Sequence, residues 1–492
     1  MKKIHFISMM ALAVMVLCSC SNKDYQKAIP ANATLVVKMD VRSISDKAEF
    51  KESKYKMMLD GLLASAVKGE DMKTVKKYVD DPQKMGFDLS TPLYFFMVGE
   101  ETVGLTLKTG DEGDLNDFLQ VLNKQGLASK PTEKDGLKCG TLMDEITYTY
   151  DANTFLLLAS LKGREGVSNQ ARELMTLKES DSFASTEAFD RMNDDDNDVA
   201  TYLNGDVFGQ DVLKELKSMM SSNSLDPKDM DAVMTLNFEN GQATFKAKVW
   251  GKNEKAQTLI DEAYDSFDNI EGKYIDRVSN DMLMWMGMNV KGEWLLNKMK
   301  ENQSTKEALF VVERAIDIEQ MLRAVDGDLA FELQMEDVMS KKEPEYIVYG
   351  TLKNSDFLAD VEDWKNTMKD YDMTMEEKGK NQYVLTMDDA SYKWGVQDND
   401  IYFSSLNAVT KNEGKSPLAD NKDDIKKNKV YLYINLARIP WGEFFSKSEM
   451  NTLQEPLDKL QALVIKGASS GEVTLAVELK DKNENFLKQL LK

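Results

Sequence analysis

Histidine occurs once in this 492-residue sequence, at His5, and cysteine three times. Three cysteines cannot form a disulfide framework. Cationic charge is also scarce. Lys and Arg number 62 against 84 Asp and Glu, for a formal net charge of −22. A chain this acidic does not neutralise phosphate backbones, so no nucleic-acid partner is expected. Its composition, 42% hydrophobic and 30% charged, is that of a globular protein rather than a disordered one. Its length exceeds one hydrophobic core, since single cores stop growing near about 250–300 residues. At least two domains are expected.

Long apolar runs are rare too, and the clearest one stands at the start. Lys2 and Lys3 precede Ile4–Leu17, and Leu17-Cys18-Ser19-Cys20 follows. That is the charge and apolar layout of a secretory signal, and it is short for a membrane-spanning helix. The tail resembles the lipobox of bacterial lipoproteins, with Leu at −3, a small residue at −1 and Cys at +1. The resemblance implies cleavage after Ser19 and acylation of Cys20. Acyl chains add about 0.8 kcal/mol per buried CH₂, and stable anchoring takes more than one chain. Residues 1–19 are thus expected to be a signal peptide and 20–30 a lipidated tether. The mature chain would have 492 − 19 = 473 residues and a net charge of −22 − 2 = −24. It would have no histidine, and Cys139 would be its one free thiol. Asn22-Lys23-Asp24 is a weak surface-export signal, which leaves both membrane faces open.

Self-comparison shows repetition. Gly241–Glu254 aligns without a gap to Gly471–Glu484, sharing Gly, Thr, Lys, Asn and Glu at an offset of 471 − 241 = 230. Val199–Asn204 matches Val430–Asn435 upstream, and Leu142–Glu145 matches Thr386–Asp389. The fold expected is α+β: two tandem related halves, 31–275 and 278–492. Each splits again, into units 31–190 and 195–275, and 278–410 and 425–492. Every unit reads as β-α-β-β-α, an order like the ferredoxin-like split βαβ, with mainly antiparallel sheets and helices on one face. Leu115-Phe118-Leu119-Leu122 has helical spacing, as do Met58, Leu59, Leu62 and Ala66. Ser43 and Asp46 resemble a capping box. Asn240-Gly241 between alternating runs predicts a hairpin with a type I′ turn. The polar stretches Asp265–Asn280 and Lys411–Lys427 read as linkers.

The lipobox, the phrase Ile29-Pro-Ala-Asn-Ala-Thr-Leu-Val-Val-Lys-Met-Asp-Val41 and Val325-Asp-Gly-Asp-Leu-Ala-Phe-Glu-Leu333 together look familiar. The chain is similar to a family of large lipoproteins of unknown function from Gram-negative gut anaerobes. That resemblance implies an envelope location and lends no active-site residues.

Candidate chemistry is thin. Without histidine there is no Ser-His-Asp triad, Cys-His dyad or imidazole metal site. Ser53-x-x-Lys56, Ser65-x-x-Lys68 and Lys108-Thr-Gly110 fit fragments of penicillin-recognising enzymes, but the middle element is missing. Asp194, Asp196 and Asp198 alternate as in a Ca²⁺ loop, yet an EF-hand would need Gly at Val199, so the run reads as a solvated loop. Met282, Met284, Met286 and Met288 share a strand face and read as core, although thioethers bind Cu(I). The pairs Asp144-Glu145 and Asp388-Asp389 read as hairpin turns, and Trp285 and Trp394 as core. Cys139 reads as a small half-buried hydrophobe.

The function expected is a non-enzymatic binding or scaffold module, lipid-anchored in the cell envelope at the outer membrane. Its partners would be the membrane, through the N-terminal lipid, and an envelope protein or glycan. No catalytic, cofactor-binding or metal residue is assigned; Cys20 is the lipidation site. The rival is a carboxylate-dependent glycan hydrolase, which needs two facing carboxylates about 5–10 Å apart.

Overall fold

The computed structural model describes residues 25–49, 76–78, 80–163, 165–207, 226–313, 316–335, 345–387, 390–405, 407–408 and 414–491. The signal, Cys20, the expected helix over Met58–Ala66, both Ser-x-x-Lys pairs and Asp388-Asp389 lie outside these residues.

The chain forms two compact units. The first takes residues 1–210, 227–249 and 481–492, the second 211–226 and 250–480. The division by contact therefore falls at Val249/Trp250 and Lys480/Asp481 rather than near 275.

The strands of the first unit are β1 (Leu35–Met39), β2 (Leu93–Val98), β3 (Thr102–Lys108), β4 (Thr132–Lys134), β5 (Leu137–Leu142), β6 (Ile146–Tyr150), β7 (Thr154–Ser160), β8 (Val199–Asn204), β9 (Met230–Glu239) and β10 (Gln242–Gly251). They lie in the order β4-β5-β6-β7-β3-β2-β1-β8-β9-β10. The second unit has β11 (Phe267–Asp268), β12 (Met282–Lys291), β13 (Val325–Gln334), β14 (Glu345–Leu352), β15 (Met373–Gly379), β16 (Gln382–Met387), β17 (Ala390–Gln397), β18 (Asp400–Ser405), β19 (Val430–Asn435), β20 (Leu460–Gly467) and β21 (Glu472–Leu479). Its order is β15-β16-β17-β18-β14-β13-β12-β19-β20-β21, with β11 beside the end of β12. Position for position, the two orders are the same.

The class is α+β with antiparallel sheets, but the strands do not adopt the split βαβ. In that motif a third strand inserts between the first two. Here β2 lies directly beside β1, with Leu35 opposite Met97 and Met39 opposite Leu93, and β3 lies beyond it. The strands β8-β9-β10 and β19-β20-β21 are meanders, whereas β1-β2-β3 and β12-β13-β14 are each continued by the last strand of the following four, β7 beside β3 and β18 beside β14. The expected units join in pairs through their first strands, β1 with β8 and β12 with β19.

Helix Glu112–Lys124 buries Leu115, Phe118, Leu119 and Leu122 against Tyr148, Tyr150 and Phe155, as its spacing predicts. Trp285 and Trp394 are buried. The methionine stripe differs from expectation. Met282 is fully buried, but Met284, Met286 and Met288 are half-buried on the face opposite Trp285. The indole takes the deep face, where Gly287 leaves it room.

Both expected linkers dock. Ile270, Tyr274, Ile275 and Val278 belong to the core of the second unit, as do Leu418 and Ile425. Residues 25–30, the described part of the expected tether, dock as well. Tyr25 and Ile29 are buried, and Pro30 bridges Ser182. The terminal helices also cross over. Helix Glu254–Asp265 belongs to the second unit, where Tyr264 donates to the Ala468 carbonyl at 2.6 Å and Ser470 to Asp261 at 2.6 Å. Helix Phe486–Leu491 belongs to the first.

Candidate binding groove

An open groove of about 560 Å³ lies on the first unit, at the end of β9. Three segments far apart in sequence build it.

The first is helix Val41–Ala48. Its cap is Asp40, whose carboxylate accepts the Ser43 N–H at 2.8 Å, so the Ser43/Asp46 box is not the cap. The helix ends on Glu49 in the left-handed region, φ 46°. Lys47 turns inward and meets both carboxylate oxygens of Asp198 at 2.7 and 2.8 Å.

Asp198 is the last residue of the acidic run. It is 1% exposed. Besides Lys47 it accepts from the Ser43 hydroxyl at 2.5 Å and from the Phe238 N–H at 2.7 Å. A buried carboxylate needs this many partners, because desolvation otherwise disfavours its charge. Part of the expected solvated loop is thus a buried anchor, already holding an ammonium group. Asp194, Asp195 and Asp196 are exposed.

The second segment is the β9–β10 turn. The hairpin forms as predicted, but the turn is not type I′, which needs two left-handed residues. Only Gly241 is left-handed, φ 67°; Asn240 bridges Asn485. A Cβ on Gly241 would come within 2.6–2.7 Å of the Asp481–Lys482 backbone, so glycine also admits the third segment.

That third segment is 481–491. Gly241 N–H donates to the Glu484 carbonyl at 2.9 Å, and the Asn485 amide to the Phe238 carbonyl at 2.9 Å. Phe486 stacks on Phe238 at 6.2 Å. Lys488 pairs with Glu49 at 2.7 Å and Glu484 at 3.0 Å, and these carboxylates raise its ammonium above the usual value.

The groove thus presents Asp46, Glu49, Glu239 and Glu484 against Lys47 and Lys488, with the Asn240 and Asn483 amides and half-buried Phe238. Carboxylates, amides and an aromatic ring form a recognition set, suited to hydrogen bonds, ion pairs and stacking. Sequence reading missed the groove, although one signal pointed to it. Gly241 and Asn483-Glu484 come from the opposite ends of two copies of one repeated phrase. The two copies meet here.

The other candidates lie elsewhere. Asp144-Glu145 is an exposed turn with Met143 and Asp144 left-handed, as read. Cys139 is buried on β5 and accepts the Thr149 hydroxyl at 3.3 Å. Lys108 pairs with Asp88 at 2.8 Å. Among the described residues no three His, Cys, Asp or Glu side chains converge as metal ligands would, and no helix is long and apolar enough to cross a membrane.

A family described only as a domain of unknown function, DUF4836, matches residues 25–487, and the chain belongs to it. No curated protein matches. Among solved structures, crystal form III of TP0453 is similar at 12% identity, covering 50% of this chain and 89% of that one, with a TM-score of 0.28. Crystal form I gives 10% identity over 51% and 89%, with a TM-score of 0.27. Likeness at that level carries no argument about fold or function.

Proposed function

We propose that this family member is a lipoprotein of the kind found in Gram-negative gut anaerobes. It is acylated on Cys20, anchored in the outer membrane, and binds an envelope protein or glycan without catalysing a reaction. The observation that carries this reading is the closeness of the lipobox to the docked chain. Only 24 − 20 = 4 residues separate Cys20 from Tyr25, and the five steps between them reach about 17 Å at full extension.

Tyr25 is held firmly. Its hydroxyl donates to the Pro92 carbonyl at 2.5 Å, and its ring meets Tyr94 edge-on at 5.9 Å. An acylated Cys20 therefore holds the first unit against its membrane. The groove supports the binding half of the reading. Leu93, Met39, Val199 and Leu236 are register partners across β2, β1, β8 and β9. The docked N-terminus, beside Pro92, and the groove, beyond Leu236, thus lie at one end of the same sheet. The anchor places the groove within reach of envelope surfaces.

The test is binding of detergent-purified full-length protein to a glycan array and to envelope protein extracts, with Asn240→Arg filling the groove. We expect a saturable ligand whose affinity falls at least ten-fold in the variant. Equal binding by the variant would remove the groove from the reading. Turnover of a bound glycan would replace binding with hydrolysis.

A further inference from the structure

Three carboxylates are buried on one face of the second unit: Asp328 and Glu332 on β13, and Asp400 at the start of β18. All three hold the segment 269–281, which precedes β12. Asp328 accepts the N–H groups of Glu271, Gly272 and Lys273 at 2.8, 2.8 and 2.9 Å. Asp400 accepts the Tyr274 hydroxyl at 3.0 Å and pairs with Lys273 at 2.5 Å and Arg277 at 2.9 Å.

Glu332 is held differently. It is 2% exposed, yet it accepts only the Ser279 N–H at 2.9 Å and the Gln334 amide at 3.1 Å. No ion pair reaches it among the described residues. The first unit shows that the fold does not require a carboxyl at this place. Val36 pairs with Phe96 as Trp285 pairs with Glu332 in the matching strands, and Phe96 is fully buried. An apolar ring fills the position in one copy and an ionisable group in the other.

We propose that residues 269–281 form a proton-controlled latch, closed on the sheet when Glu332 is protonated and loosened around Ser279 when it ionises. Burial, the largest influence, pushes the Glu332 carboxyl up to about 7, and the Ser279 N–H and Gln334 amide offset this only in part. Asp281, on the strap itself, opposes the charge as well. Tyr349 faces it from β14 and Trp285 from β12. Arg277 lies over the Tyr349 ring but is paired with Asp400. Arg438 is held by Asp281 at 3.4 Å and by the Met335 carbonyl at 2.6 Å.

The native carboxyl binds its proton more tightly than an exposed glutamate, whose ordinary value is 4.5. Its contribution is therefore complete below about 4.5 and is lost as pH rises through about 7. Between pH 5.5 and 8 the closed strap should lose roughly ten- to thirty-fold in its equilibrium over the open one.

The experiment is hydrogen exchange of the full chain at pH 5.5 and 8, corrected for intrinsic rates, comparing wild type with Glu332→Gln. Peptides over 269–281 should lose about ten-fold or more of their protection at pH 8 in wild type only. Peptides over Tyr25–Ala33 serve as the internal control. Equal pH dependence in both proteins would overturn the latch. Should the variant fail to fold, the wild-type profile decides alone: a midpoint near 7 supports the latch, and a flat profile overturns it.

Discussion

Asp198 ends the densest acidic run of the sequence; Asp194, Asp195 and Asp196 are exposed, and it is the one acid of the run that folds inward. What distinguishes it is position. It is the last residue before β8, where its side chain faces Ser43 and Lys47 on one side and the Phe238 N–H on the other. Replacing it with alanine would leave an ammonium, a hydroxyl and a backbone N–H without their common acceptor. Breaking a buried pair this way costs about 3–5 kcal/mol. Lys47 keeps a side-chain exposure of 32% and can turn to water, so the lower end is expected. Urea unfolding of Asp198→Ala should show a loss of about 3 kcal/mol. A loss below about 1 kcal/mol would mean that Asp198 anchors nothing.

Among elements, the segment 481–491 has the most consequence for its size. It supplies the backbone that meets Gly241, the ring that stacks on Phe238 and the lysine that binds Glu49. A chain ending at Lys480 should expose Phe238 and free the end of helix Val41–Ala48. Hydrogen exchange should then rise at least ten-fold over residues 41–49, while the second unit keeps its protection. Unchanged exchange there would show that the segment is ornamental.

Local patterns were legible at this scale. Helix Glu112–Lys124 follows from four apolar residues at helical spacing. The β9–β10 hairpin follows from alternation about Asn-Gly. The docked segments were not legible. Tyr274, Ile275 and Val278 stand among Glu271, Lys273, Asp276 and Arg277, so composition reads them as linker. The partners that bury them, Asp328, Glu332 and Asp400, lie 53 to 126 residues away. Strand neighbours were equally hidden: the helical connections from β1 to β2, from β12 to β13 and from β19 to β20 join adjacent antiparallel strands rather than enclosing a third. The groove needed both: a repeat visible in sequence, and the crossing of its two copies, which only the fold displays.

At the scale of the molecule, duplication explains the length. The strands of the two units follow one order. The matching positions then diverge, as Phe96 and Glu332 do: the first unit carries the groove, and the second carries the buried Glu332. With histidine found only at His5, carboxylates, amides, hydroxyls, lysines and arginines are the polar groups that the rest of the chain offers. In the proposed reading, all of this is placed at a membrane by one residue, Cys20.

The most direct measurement is therefore mass spectrometry of the N-terminal peptide of the protein isolated from its native membranes. The expected result is a chain beginning at Cys20 that carries a diacylglyceryl group and an amide-linked acyl chain, absent when Cys20 is replaced by serine. An unacylated chain beginning elsewhere, recovered in the soluble fraction, would contradict the proposed anchoring.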